Sequence, residues 1–197
     1  NQEMNKEILF AVRYSKSVLG EGHGYNDYLK DKSVIDSKLL ASYGTTDDRK
    51  AMIEYKKVDA NNNVIAKYYD TFDATTAKVG FDLPLLRWAD VLLMCAEAHN
   101  EVAYESSESS KALSYLNLVR KRAGMPELED VTLDQIMDER RMELALEWGE
   151  RYNDLRRTGK LSEVLGPLGW TSGKEYYPVP TAQIDISSTL ENEPKDE

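Results

Sequence analysis

Residues 85–104 read LLRWADVLLMCAEAHNEVAY, and residues 109–126 read SSKALSYLNLVRKRAGMP. In the first stretch Ala89, Leu92, Leu93, Ala96 and Asn100 recur at the spacing that brings them to one side of a helix. The spacing predicts a helix over about residues 85–104. In the second, Ala112, Leu116, Val119 and Ala123 form a stripe with Leu113 beside it. Ser109 or Ser110 is expected to cap the first free N–H groups. Lys121 and Arg122 complement the negative end of that helix dipole. Gly124 suits the left-handed position just past the helix end, and Pro126 prevents continuation. Two antiparallel helices with a short turn between them, closed by Pro, have the size and punctuation of one tetratricopeptide unit. One such unit cannot bury its own faces and needs neighbours.

A third helix is expected from Thr132, where Thr132 and Gln135 stand at capping-box spacing. Its stripe is Leu133, Ile136, Met137, Leu144 and Trp148, and Arg140 falls on the same line. Gly149 interrupts, and a short helix follows to Thr158. Beyond Gly159 come Gly166-Pro167, Gly169-Trp170, Gly173, Tyr176-Tyr177-Pro178 and Pro180, a segment ordered by packing rather than by regular structure. Residues 191–197 are expected to fray.

On the N-terminal side, Glu7 to Tyr14 alternates, with Ile8, Phe10, Val12 and Tyr14 on one face and Leu9, Ala11 and Arg13 on the other. That is a strand with at least one buried face. Residues 15–46 form a long connection carrying Gly20, Gly22, Gly24 and Gly44, with a short helical turn around Ser37–Ser42. Met52 to Val58 and Val64 to Tyr69 read as two strands joined through Asn61-Asn62-Asn63, since Asn tolerates positive φ. The expected architecture is mainly α: a tetratricopeptide-like αα-hairpin and further helices, with a small β-hairpin and long loops. Residues 1–84 form the strand, loop and hairpin region, and residues 85–197 the helical region of the same domain.

The 197 residues carry 25 basic and 35 acidic side chains, a net charge of −10. The basic pairs Lys121-Arg122, Arg140-Arg141 and Arg156-Arg157 are interleaved with acids, which sets nucleic acid aside. Cys95 lies in an apolar run and reads as a small buried hydrophobe. No run of about 18 apolar residues is present to span a bilayer. The first residues lack the basic-then-apolar pattern of a signal peptide.

Asp90, Glu97 and Glu101 lie side by side on one helix, whereas glycosidase carboxylates flank a substrate. They read instead as an ion network, with Asp90 or Glu97 paired to Arg140, Arg156 or Arg157. An unpaired Arg140 in an apolar stripe would be costly. His23 and His99 are the only histidines, and Cys95 with His99 makes no convincing metal site. No Ser-His-Asp arrangement or phosphate-binding loop appears, and Gly20-x-Gly22-x-Gly24 lacks the strand–loop–helix setting. No catalytic residue, metal or cofactor is expected. Aromatics offer flat faces on which sugar C–H groups stack. Tyr25 and Tyr28, beside Asn26 and Asp27 in the long loop, are ligand candidates, as are Tyr43 and Trp170. Trp88, Trp148, Tyr68, Tyr69, Tyr176 and Tyr177 are expected to be packing residues.

Four stretches, in order, resemble the SusD/RagB family. They are NKEILFAVRY (5–14); LRWADVLLMCAEA (86–98) followed by Asn100-Glu101; VRKRAG (119–124) with ERRMELALE (139–147) and RYNDLRR (151–157); and YPVP (177–180) with Gln183-Ile184-Asp185. The resemblance implies the C-terminal portion of a larger cell-surface protein. A preceding part would supply a lipid-modified cysteine and further helical hairpins. It also implies non-covalent capture of oligosaccharide, with delivery to a SusC-like TonB-dependent transporter of the outer membrane. The family is not known for catalysis. The alternative is a helical-repeat scaffold for protein interaction without a ligand site of its own. The resemblance transfers no binding residue. Tyr25, Asn26, Tyr28 and Trp170 stand as candidates on residue chemistry alone.

Overall fold

The computed structural model describes residues 5–15, 18, 35–57, 63–68, 82–102, 106–147, 149–176, 178–187 and 189. The chain divides into two compact units, Asn1–Trp148 and Gly149–Glu197.

In the first unit, helices α3 (Trp88–Glu101), α4 (Ser106–Arg122) and α5 (Leu133–Glu143) hold the main core. Ala89, Leu93 and Ala96 of α3 meet Leu116 and Val119 of α4 and Ile136 and Met137 of α5. These are the stripes read from the sequence. Helix α4 starts one turn before Ser109. Serine disfavours a helix by only about 0.5 kcal/mol, so Ser109 and Ser110 sit inside it rather than capping it. The capping box forms as read. Thr132 Oγ1 accepts from the Gln135 N–H at 3.2 Å, and Gln135 Oε1 accepts from the Thr132 N–H at 2.7 Å. Helix α5 ends at Glu143, yet Leu144 is buried all the same. Trp148, at the end of that stripe, lies outside the described residues.

Gly124 ends α4 at φ +72°. The Met125 N–H donates to Arg120 O at 2.9 Å and the Gly124 N–H to Lys121 O at 3.2 Å, closing a Schellman-type cap. A Cβ here would lie 2.9 Å from Asp48 Oδ2 and 3.0 Å from Thr46 O. Gly124→Ala is therefore expected to cost about 2 kcal/mol or more, from left-handed backbone strain plus the clash. A urea denaturation midpoint checks it.

The helix expected from Leu85 begins only at Trp88. Leu83–Arg87 is instead strand β4, paired antiparallel with β1 (Ile8–Val12) through Ile8↔Arg87, Phe10↔Leu86, Ala11↔Pro84 and Val12↔Leu83. Pro84 disfavours helical geometry at the residue before it. Arg87, extended at φ −121°, caps nothing with its side chain. Glu7 does the capping from the neighbouring strand. Its carbonyl accepts from the Trp88 N–H at 2.7 Å, and its carboxylate accepts from the Ala89 N–H at 3.1 Å. The alternating burial expected of β1 is absent: Leu9, Phe10 and Val12 are all exposed. Two register irregularities, at Ile8/Phe10 and Phe10/Ala11, break the period of two.

Helix α1 (Ser37–Ser42) matches the expected turn, capped by Asp36. Helix α2 (Lys50–Ile53) takes Met52 and Ile53 away from the expected strand. Ile53 anchors this turn in a second core cluster with Tyr43 and Ala145. The hairpin that remains pairs β2 (Tyr55–Lys57) with β3 (Asn63–Ile65) in the register Tyr55↔Ile65. Asn61, Asn62 and Tyr69 lie outside the described residues.

The second unit contains α6 (Glu150–Arg157), α7 (Leu161–Leu165), a 3-10 turn at Gly166–Leu168 and α8 (Thr181–Ile186). Among its described residues, Leu155 and Leu161 are the buried apolar side chains. Glycines with positive φ at 149, 159, 169 and 173 punctuate it. Tyr152 pins the segment after α7, its hydroxyl donating to Lys174 O at 2.7 Å and Glu175 O at 3.2 Å.

Candidate functional site

The buried polar groups of the first unit form a charge network. Glu139, Glu143 and Glu147 recur every four residues, so they rise along one side of α5 and the turn beyond it. Each meets cations from other elements. Arg49, N-terminal to α2, donates to Glu139 at 2.6 Å, Glu143 at 3.1 Å and both oxygens of Asp47. Arg87, at the end of β4, donates to Glu143 at 3.1 Å and to Glu147 at 2.8 and 2.9 Å. Arg120 and Arg122 of α4 reach Glu139 and Glu143. Lys67 pairs with Glu147 and donates to the carbonyls of Glu143, the last residue of α5, and of Ala145 in the turn beyond it. Leu146 turns the chain there with φ +65°. Arg140 behaves as its place in an apolar stripe required: it is buried and donates to Asp90 at 2.8 Å. Arg157 pairs with Asp154 of its own helix at 2.7 Å.

Burial alone would raise the pKa of the Glu143 carboxyl. The guanidiniums of Arg87, Arg122 and Arg49 and the Lys67 ammonium outweigh it and hold the group below its ordinary value. Burial likewise opposes ionisation of Asp47, and the hydrogen bonds from Arg49 overcome it. A carboxylate whose pKa is lower folded than unfolded stabilises the fold above the unfolded value, about 4. That contribution is lost as pH falls through the folded values. Stability should therefore drop between about pH 4 and the acid limit, and Glu143→Gln should flatten the drop. Denaturant titrations at pH 7, 4 and 3 read this directly.

This network fills its donors and acceptors from within, as a structural assembly does. A ligand would instead meet exposed aromatic faces, and here the structure redistributes the expected residues. Tyr43 is 3% exposed, and its hydroxyl donates to Met142 O at 2.7 Å. Burial pushes its pKa up. It is a core residue, not a ligand contact, because α1 carries it into the second core cluster. Trp88, expected in the core, is 48% exposed, because the helix begins at Trp88 with its ring off the Ala89–Leu93–Ala96 face. Tyr176, expected to pack, is 69% exposed, with the Arg156 guanidinium 4.9 Å from its ring centre. Trp170 is half-buried. Its indole N–H is enclosed and meets no acceptor among the described residues. Tyr25, Asn26 and Tyr28 lie outside the described residues, as do Tyr69 and Tyr177. Among the described residues, no group of three or more His, Cys, Asp or Glu could hold a metal ion. No helix among them is long and apolar enough to cross a membrane.

The sequence pattern that defines the SusD family matches residues 10–169. The chain belongs to the SusD family. It is 32% identical to SusD-like protein P2 of Formosa agariphila, over 94% of this chain and 47% of that protein. Among solved structures it resembles surface glycan-binding protein A from Bacteroides thetaiotaomicron, also solved in complex with laminarihexaose. The TM-score is 0.72 at 25% identity, over 94% of this chain and 51% of that one. A laminarin-binding SusD-like protein matches with the same score and identity, over 98% of this chain and 51% of its own. The chain thus spans about half the length of these SusD relatives. Their likeness covers the αα-hairpin and the helices that carry the charge network.

Proposed function

We propose that this SusD-family chain belongs to a cell-surface protein that captures oligosaccharides non-covalently and delivers them to a SusC-like TonB-dependent transporter. The observation that carries the reading is the likeness, over 94% of the chain, to a glycan-binding protein solved with laminarihexaose. The reading is one of binding, not catalysis. The exposed faces of Trp88 and Tyr176 have the chemistry that stacks on sugar C–H groups. Tyr25, Asn26, Tyr28 and the half-exposed ring of Trp170 are proposed as further contacts. Attachment to the outer membrane would come through a lipid anchor on a part of the protein outside these residues.

Calorimetry with laminarihexaose and a panel of plant and host oligosaccharides tests the reading. Binding that weakens on Tyr25→Ala and Tyr28→Ala supports it. No heat with any glycan overturns it. That result would favour a protein-interaction scaffold, for which the exposed apolar Leu9, Phe10 and Val12 of β1 already speak.

A further inference from the structure

We infer that Arg156 and Tyr176 form a contact point for an acidic sugar, a uronic-acid residue of the captured glycan; the inference rests on the capture reading. Two observations set this pair apart. The guanidinium lies 4.9 Å from the ring centre, yet Tyr176 remains 69% exposed, so the cation covers only part of the aromatic surface. Among the described residues, no carboxylate pairs with Arg156. Its neighbour Arg157 is already held by Asp154, and Arg49, Arg87, Arg120, Arg122 and Arg140 all have acids. An arginine on an aromatic face with no carboxylate of its own presents a planar fork of N–H donors, which matches a carboxylate two bonds at a time. The exposed part of the ring adjoining it offers a sugar its C–H stacking surface.

The pair is also held in advance. The Tyr152 hydroxyl grips the carbonyls of Lys174 and Glu175, the two residues before Tyr176, and the Gly173 turn at φ +83° sets the approach. Ordering the loop beforehand removes a cost that binding would otherwise bear. The chain's net charge of −10 does not oppose an anion here. Residues 149–189 hold five basic side chains (Arg151, Arg156, Arg157, Lys160, Lys174) and five acidic ones (Glu150, Asp154, Glu163, Glu175, Asp185). The excess acidity lies elsewhere.

The test compares tetragalacturonate with its fully methyl-esterified form, in which a methyl group caps each carboxylate and removes its charge, alongside laminarihexaose, at 50 mM NaCl. The protein is expected to bind the acid about tenfold tighter than the ester. Arg156→Gln should erase that difference, weakening the acid about tenfold more than the ester. Arg156→Lys, which keeps the charge but not the fork, should retain only part of it. Tyr176→Ala should weaken both ligands. Far-UV circular dichroism of each variant confirms that the helices are kept. Equal affinity for acid and ester, or an acid preference that survives Arg156→Gln, overturns the inference. Binding of laminarihexaose with neither uronide bound overturns the inference alone. Binding of no glycan at all removes the capture reading together with it.

Discussion

Glu143→Ala is expected to lower unfolding stability by about 3 kcal/mol, the lower end of the range for breaking a buried ion pair by removing one partner. Glu143 is the hub of the charge network, 4% exposed and in contact with Arg49, Arg87 and Arg122. Its loss leaves each cation one acceptor short around a buried position. The upper end of the range is not reached. Arg49 keeps Asp47 and Glu139, Arg87 keeps Glu147, and the half-exposed Arg122 can turn to solvent. Urea denaturation reads the loss. The loss should persist at 0.5 M salt, because buried pairs are little screened. Glu127→Ala provides the contrast. Its pair with Lys121 spans 3.9 Å between exposed side chains, so its removal should change stability by under about 0.5 kcal/mol. A Glu143→Ala variant as stable as the wild type would mean that the network contributes nothing net.

Leu93→Ala should cost a similar amount, about 3 kcal/mol within the usual range of 2–5. Leu93 is fully buried where α3, α4 and α5 converge, with Ala89 and Ala96 flanking it on its own helix. Leu92 and Tyr115, partly buried against the same cluster, can relax part of the way into the cavity, so the loss should stay near the middle of that range. Leu118→Ala, on the exposed side of α4, should be near neutral. A thermal melt of both variants separates the two positions. Equal shifts would refute the placement of the core.

The αα-hairpin was legible because two independent signals agree: the 3.6-residue stripes, and Gly124 with Pro126 as the stop. The capping box at Thr132 was legible for the same reason, since it is local. Strand β4 was not. Leu83 to Arg87 runs into the apolar residues of α3 without a break, and periodicity cannot tell a short strand from the first turn of a helix. What decides it is pairing with β1, far away along the chain. The same holds for Tyr43, whose burial depends on Met142, 99 positions on. Arg140 announced its ion pair because it stood in an apolar stripe. Glu139, Glu143 and Glu147 did not, since charged residues on a helix ordinarily face water. Their four-residue spacing was visible, but not the cations that make their burial tolerable. At the candidate site, sequence chemistry named aromatic residues as a class. The exposure of Trp88 and Tyr176 depends on where a helix starts and how a loop is pinned, which composition does not report.

Through Arg49 and Arg87, the glutamates at 139, 143 and 147 reach partners 56 to 94 positions earlier in the chain. Such contacts form only after long loops have closed, and the entropy of closing them is lost before any contact repays it. Folding of the first unit should accordingly be slow for a protein so rich in helix. Once formed, no part can open alone without stranding charges in the others. Amide hydrogens of α2, the last turn of α5 and the backbone around Lys67 should then exchange with solvent as one protected block rather than element by element.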